Sequence, residues 1–143
     1  MSKNARNQAL IRIVDDDPEI RESLGMMLES EGWRQTQYKS AESFLVGDTP
    51  SEPGVVLLDI QMEGMNGLDL QILMAERGYA LPIIFITGHG NIRTAVDSMR
   101  NGAYDFLEKP VDIDRLLSSL ESAASLSMAR ASRLPDAETI RAA

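Results

Sequence analysis

Six polar residues in this chain follow directly on short apolar runs. Asp15-Asp16-Asp17 follows Leu10-Ile11-Arg12-Ile13-Val14, and Asp59 follows Val55-Val56-Leu57-Leu58. Thr87 ends Pro82-Ile83-Ile84-Phe85-Ile86, and Lys109 closes the run from Tyr104 to Leu107. Each alone is unremarkable: three aspartates make a solvated turn and helix cap, and a strand-end aspartate or a lysine before proline sits at the surface. Brought together, they define a chemistry. Crowded carboxylates repel and need a cation, and hard oxygen donors without His or Cys favour Mg²⁺ over Zn²⁺. A cation beside Lys109 leaves positive potential over Asp59, suited to the oxygens of a phosphoryl group in transfer. Asp59 is then the nucleophile, an aspartyl phosphate is the product, and Thr87 offers a hydroxyl donor.

Those residues are far apart in sequence, so the elements between them must gather them. The apolar runs are too short for helices and β-branched enough for strands. Between them lie helical stripes. Ile20, Leu24, Met27 and Leu28 share one face, after Asp17 as cap and Pro18 at the first helical position. Arg34–Tyr38 reads as a weaker strand, and Ser40 caps a short helix carrying Ala41, Phe44 and Leu45. Leu68, Ile72 and Leu73 share a face after the Gly64–Gly67 loop. Ile92, Ala95, Val96 and Met99 form a further stripe. Asp112 caps a last helix with Ile113, Leu116, Leu117, Leu120 and Ala124 inward. Strand–helix alternation repeated five times, with uniformly apolar strands, predicts a doubly wound α/β fold on a parallel sheet. In such sheets ligands bind at the carboxyl edge of the strands, which would bring all these polar residues into one crevice.

Composition narrows the classes. The 143 residues fit one domain, and a net charge of -8 argues against this chain itself binding nucleic acid or an anionic membrane surface. No apolar run approaches the roughly 20 residues of a membrane helix. The absence of cysteine excludes disulfides and thiolate metal sites and is compatible with the cytoplasm, the expected location. Residues 1–9 read as a flexible arm, 10–126 as the domain, and 127–143 as a helix extension passing into a linker. His89 reads as a loop residue. Trp33 and the eight methionines read as core filling.

Val14-Asp15-Asp16, Asp59 with Met62 and Gly67 downstream, Thr87-Gly88 and Lys109-Pro110 occur in an order that resembles the receiver domain of bacterial two-component response regulators. Ile86-Thr87-Gly88-His89-Gly90 with Asp105-Phe106-Leu107-Glu108-Lys109-Pro110 is most similar to the FixJ-like receivers of transcription regulators. The resemblance implies a flavodoxin-like five-stranded sheet of order 2-1-3-4-5. It implies that Asp16 binds Mg²⁺ directly, Asp15 through water, and that the Gln61 backbone carbonyl and Asp59 complete the set. Asp59 would be the phosphoacceptor, Lys109 the partner of the phosphoryl group, and Thr87 and Phe106 the switch pair. Lys109-Pro110 would be a cis peptide. The implied partner is a sensor histidine kinase. The face made by the fourth helix, fifth strand and fifth helix would serve homodimerisation or an effector, with transcription controlled by a DNA-binding domain absent from this chain. One departure stands out: where the family often has proline after the methionine, this chain has Glu63.

Two other functions fit parts of the pattern. A Mg²⁺-dependent phosphatase with an aspartyl nucleophile usually carries a second aspartate two residues on, as general acid; Gln61 occupies that position and cannot donate the proton. A receiver-like module that is never phosphorylated would have no use for the intact acidic, Thr87 and Lys109 set.

Overall fold

The computed structural model describes residues 6–88 and 92–142, with side chains through residue 132. Five strands, β1 (Leu10–Val14), β2 (Arg34–Tyr38), β3 (Gly54–Leu58), β4 (Ile83–Thr87) and β5 (Asp105–Glu108), alternate with α1 (Pro18–Ser30), α2 (Ala41–Gly47), α3 (Gly67–Glu76), α4 (Ile92–Arg100) and α5 (Ile113–Ala142). All strand pairs are parallel, as the apolar strand pattern predicts, and the order is β2-β1-β3-β4-β5, as the resemblance implies. Strand order reverses between β1 and β3, which leaves a crevice at their carboxyl ends. Val14 pairs with Leu58, so the residues that follow each strand, Asp15 and Asp59, emerge side by side.

Side chains alternate across the sheet, and two apolar layers result. Ile11, Ile13, Val55, Leu57, Ile84 and Ile86 pack with Leu24 and Leu28 of α1 and with Leu116, Leu120, Ala123 and Ala124 of α5. Val14, Val56, Leu58, Ile83 and Phe85 pack on the opposite face with Phe44 of α2 and with Leu70 and Met74 of α3. Helix starts are set as expected: Asp17 accepts from the Glu19 amide, Ser40 forms a capping box with Ser43, and Asp112 accepts from the amides of Asp114 and Arg115. Helix α4 is the thinly attached one. Its only buried residue is Ser98, whose carbonyl accepts the buried Gln71 side-chain amide of α3 at 2.9 Å.

Several expectations need correction. In α3 the buried residues are Leu70, Gln71 and Met74, whereas Ile72 is 48% exposed. The segment is apolar nearly all round, so spacing alone does not choose its inner face. Met26 and Met99 are 73% and 46% exposed and fill no core, and Ile113 is exposed at the start of α5. Of the expected arm, residues 6–8 are helical and Ala9 is fully buried. Arg6 caps this docking: it donates to the Glu31 carbonyl, pairs with Glu121 and lies 5.7 Å over the Trp33 ring. Beyond residue 126, the buried Ser127 hydroxyl accepts the Gly54 amide at 2.8 Å, so the domain includes the first turn of the expected tail. His89 lies outside the described residues.

Candidate functional site

Each polar strand-end residue reaches the crevice for a local reason. Asp15 continues β1, is 4% exposed and accepts the Asp17 amide at 2.9 Å. Arg21 of α1 donates to the Asp15 carbonyl at 2.7 Å, which holds the turn. Asp59 leaves β3 with its amide bonded to the Val14 carbonyl at 3.0 Å and is 7% exposed. The helix after it starts in close contact: a Cβ on Gly67 would lie 2.3 Å from the Asp59 carbonyl oxygen. Only glycine lets α3 approach the strand end so closely. Thr87 is buried, and its carbonyl accepts the Lys109 amide at 2.8 Å, which aligns the ends of β4 and β5. The Lys109–Pro110 peptide is cis.

One carboxylate oxygen from each of Asp15, Asp16 and Asp59 lies within 4.8 Å of the others. The Lys109 ammonium lies 3.1 Å from Asp15 and 3.7 Å from Asp59. Burial pushes the Asp59 carboxyl up to about 6. The Asp15 charge pushes the same way, while Lys109 and the backbone of Ile60 and Gln61 pull it down. Two carboxylates held together against solvent thus carry a repulsion that one lysine only partly offsets. A divalent cation would relieve it. The donors are hard oxygens, and Asp16 is exposed on a cavity also lined by Gln61, Glu63 and Asn66, so the cluster opens to solvent on that side. This chemistry fits Mg²⁺, which Asp15, Asp16 and Asp59 could hold.

The loop from Asp59 to Asn66 is fixed by interactions that sequence reading missed. The Glu63 amide donates to Asp16 at 3.2 Å, and the Met65 amide donates to Glu42 of α2 at 3.0 Å. The second bond holds the Glu42 carboxyl below its usual value. Gly64, at φ +78°, carries the turn where a side chain would meet Glu42. Backbone donors leave no signature in residue type beyond the absence of proline, so Glu63 in place of the family's frequent proline was the one mark of them. Phe106 is half-buried, 6.2 Å from Phe85 between ring centroids, and lines a groove with Ile92 and Ala95 beside α4. The structure thus brings Asp15, Asp16, Asp59 and Lys109 into one cluster, with Thr87 tied to Lys109 through the backbone and Phe106 set apart on the α4 side.

Comparison with known proteins gives a consistent family. The family described as the response regulator receiver domain matches residues 11–121. The transcriptional regulatory protein FixJ of Azorhizobium caulinodans is 39% identical over 112 residues, covering 78% of this chain and 53% of its own length. The response regulator protein TmoT of Ectopseudomonas mendocina is 37% identical over 135 residues, 94% of this chain and 61% of its own. Among solved structures, the response regulator StyR superposes with a TM-score of 0.87 at 33% identity, covering 94% of this chain and 68% of that one. FixJ-N superposes with a TM-score of 0.75 at 36% identity, covering 82% and 94%. The chain spans about half the length of several curated relatives it matches.

Proposed function

This chain belongs to the response regulator receiver domain family, and from that premise we propose that it is a phosphoacceptor switch in which Asp59 takes a phosphoryl group from the phosphohistidine of a sensor kinase. The observation that carries the reading is the convergence of Asp15, Asp16, Asp59 and Lys109 on one crevice at the strand ends. An Asp59 carboxylate oxygen attacks phosphorus, a P–O bond forms, and the P–N bond to the donor imidazole breaks. Lys109 neutralises charge on the phosphoryl oxygens. Mg²⁺, held by Asp15, Asp16, Asp59 and the Gln61 carbonyl, supplies further positive charge when bound. Gln61 offers no acid for turnover of phosphomonoesters, which argues against a phosphatase.

The output side of the reading rests on α4. Thr87 is drawn toward the phosphoryl oxygens, and Phe106 fills the space it leaves, so α4 and β5 repack. The thin attachment of α4 and the exposure of Ile92, Val96 and Met99 at 85%, 42% and 46% support this. The face of α4, β5 and α5 then serves as a homodimer or effector surface. The switch unit is the expected 10–126 extended by the docked Ala9 and Ser127, and the later part of α5 is the linker to a DNA-binding domain through which the parent protein controls transcription in the cytoplasm. No helix among the described residues is long and apolar enough to cross a membrane. The net charge of -8 argues against affinity of this unit itself for nucleic acid.

The test is incubation with acetyl phosphate and Mg²⁺, read by intact-mass spectrometry. One phosphoryl adduct on the parent and none on Asp59→Ala is expected. The same adduct on both would remove Asp59 from the role.

A further inference from the structure

The three carboxylates of the cluster are held very unequally. Asp15 is buried and bonded to the Asp17 amide and to Lys109. Asp59 is buried beside Lys109. Asp16 is exposed, and among the described residues the one hydrogen bond on its carboxylate comes from the backbone N–H of Glu63, at 3.2 Å. The neighbouring Asp17 side chain is committed to capping α1 and gives no help.

An exposed aspartate facing two other carboxylates is pushed toward solvent, where its side chain gains rotational freedom. A main-chain N–H opposes that push without adding a competing charge. A carboxylate has about four acceptor sites, so Oδ2 can keep the amide while Oδ1 faces a cation. The donor also belongs to the loop that carries Gln61. That loop is anchored at its far end by the Glu42 bond to Met65 and by the Gly67 amide on the Ile60 carbonyl at 2.9 Å. The Glu63 amide is therefore presented from a fixed frame.

We propose that Glu63 is a positioning residue of the metal site, acting through its main-chain N–H: it holds the exposed Asp16 carboxylate in the cluster before the cation arrives. This rests on the reading of Asp16 as a Mg²⁺ ligand. The Glu63 side chain, exposed at the rim, has a separate and weaker role as a nearby charge, screened by salt. The main-chain bond is short-range and keeps its effect when salt is raised.

The two roles separate by substitution. Glu63→Ala removes the charge and keeps the N–H. Glu63→Pro removes both, and the backbone there has no positive φ to exclude proline. Calorimetric titration of the full chain with MgCl2 at high salt is the measurement. Glu63→Ala is expected within about twofold of the parent, and Glu63→Pro roughly tenfold or more weaker, the worth of one hydrogen bond to a charged group. Melting in EDTA reports whether the fold is intact. If Glu63→Pro fails to fold, replacing the Met62–Glu63 amide by an ester removes only the N–H and carries the same expectation. Equal Mg²⁺ affinity of the alanine and N–H-deficient forms, in a parent that binds the metal, overturns the proposal. A parent that does not bind Mg²⁺ overturns the underlying metal reading instead.

Discussion

The ammonium of Lys109 is closer to Asp15, at 3.1 Å, than to any other carboxylate of the cluster. Its attraction to Asp59, at 3.7 Å, is the longer and weaker of the two. Lys109 thus braces the crevice while leaving the Asp59 oxygens available for chemistry. Lys109→Met should raise the Asp59 carboxyl further above about 6, because the main charge that pulls it down is lost. Adduct formation with acetyl phosphate should slow by roughly a hundredfold or more, the range for loss of one charge-stabilising donor. Time-resolved intact-mass spectrometry checks this, and an unchanged rate would remove Lys109 from the site.

Asp59 also gives the metal-free fold a pH dependence. Its carboxyl is raised from 3.8 to about 6, so the folded state favours the protonated form. That contribution to stability is fully present below about pH 4 and is lost as pH rises through about 6. In EDTA, Asp59→Asn should therefore be more stable than the parent at pH 7.5, by something on the order of 2 kcal/mol. The difference should vanish near pH 4. Urea unfolding at a series of pH values measures it, and a difference that stays flat with pH contradicts the assignment.

Gly67→Ala places a methyl 2.3 Å from the Asp59 carbonyl oxygen, against backbone that cannot yield as a side chain would. Loss of roughly 2 kcal/mol or more in urea unfolding is expected. Adduct formation should fall as well, because relief of the clash moves the strand end that carries Asp59, the proposed nucleophile. Gly67 has no positive φ, so the loss reports the contact and not backbone strain.

A second cluster, remote from the crevice, stabilises the sheet. Arg12 is fully buried in β1, with Nε 3.1 Å from Asp48 and the rest of its guanidinium on the carbonyls of Leu10, Thr49 and Glu52. Asp48 also accepts the Tyr38 hydroxyl at 2.8 Å. Burial and then that bond push the Tyr38 phenol up to about 12. Asp48→Ala strands a buried guanidinium and should cost about 3 kcal/mol or more. Arg12→Met with Asp48→Leu should cost less than the two single changes summed. The Tyr38 midpoint in Asp48→Ala should fall below about 12 without reaching 10, because burial persists. Tyrosinate absorbance against pH follows it.

The strand ends and the caps were legible because each rests on residue type: β-branched runs, Asp17-Pro18 and Ser40, with aspartates at the right edge; the strand order came only from the resemblance to the receiver family. Arg12 left a signal too, since a charge inside Leu-Ile-Arg-Ile-Val must find a partner. Its partner Asp48 lies in a loop whose path the sequence does not reveal. The inner face of α3 was misread because Gln71 is buried for its bond to Ser98 and not for hydrophobicity. The Met65 amide was invisible in principle, since every residue but proline carries the same donor, and only the missing family proline marked that of Glu63.

The bond from the Gly54 amide to Ser127 ends the strand that leads to Asp59. One end of β3 meets Asp59, and the other is bolted to α5. The later turns of α5 are thus surveyed from the same baseline as Asp59. Under the proposed repacking of α4 one flank would change its relief while this mast stays upright, so α5 would give the moving flank a fixed compass bearing.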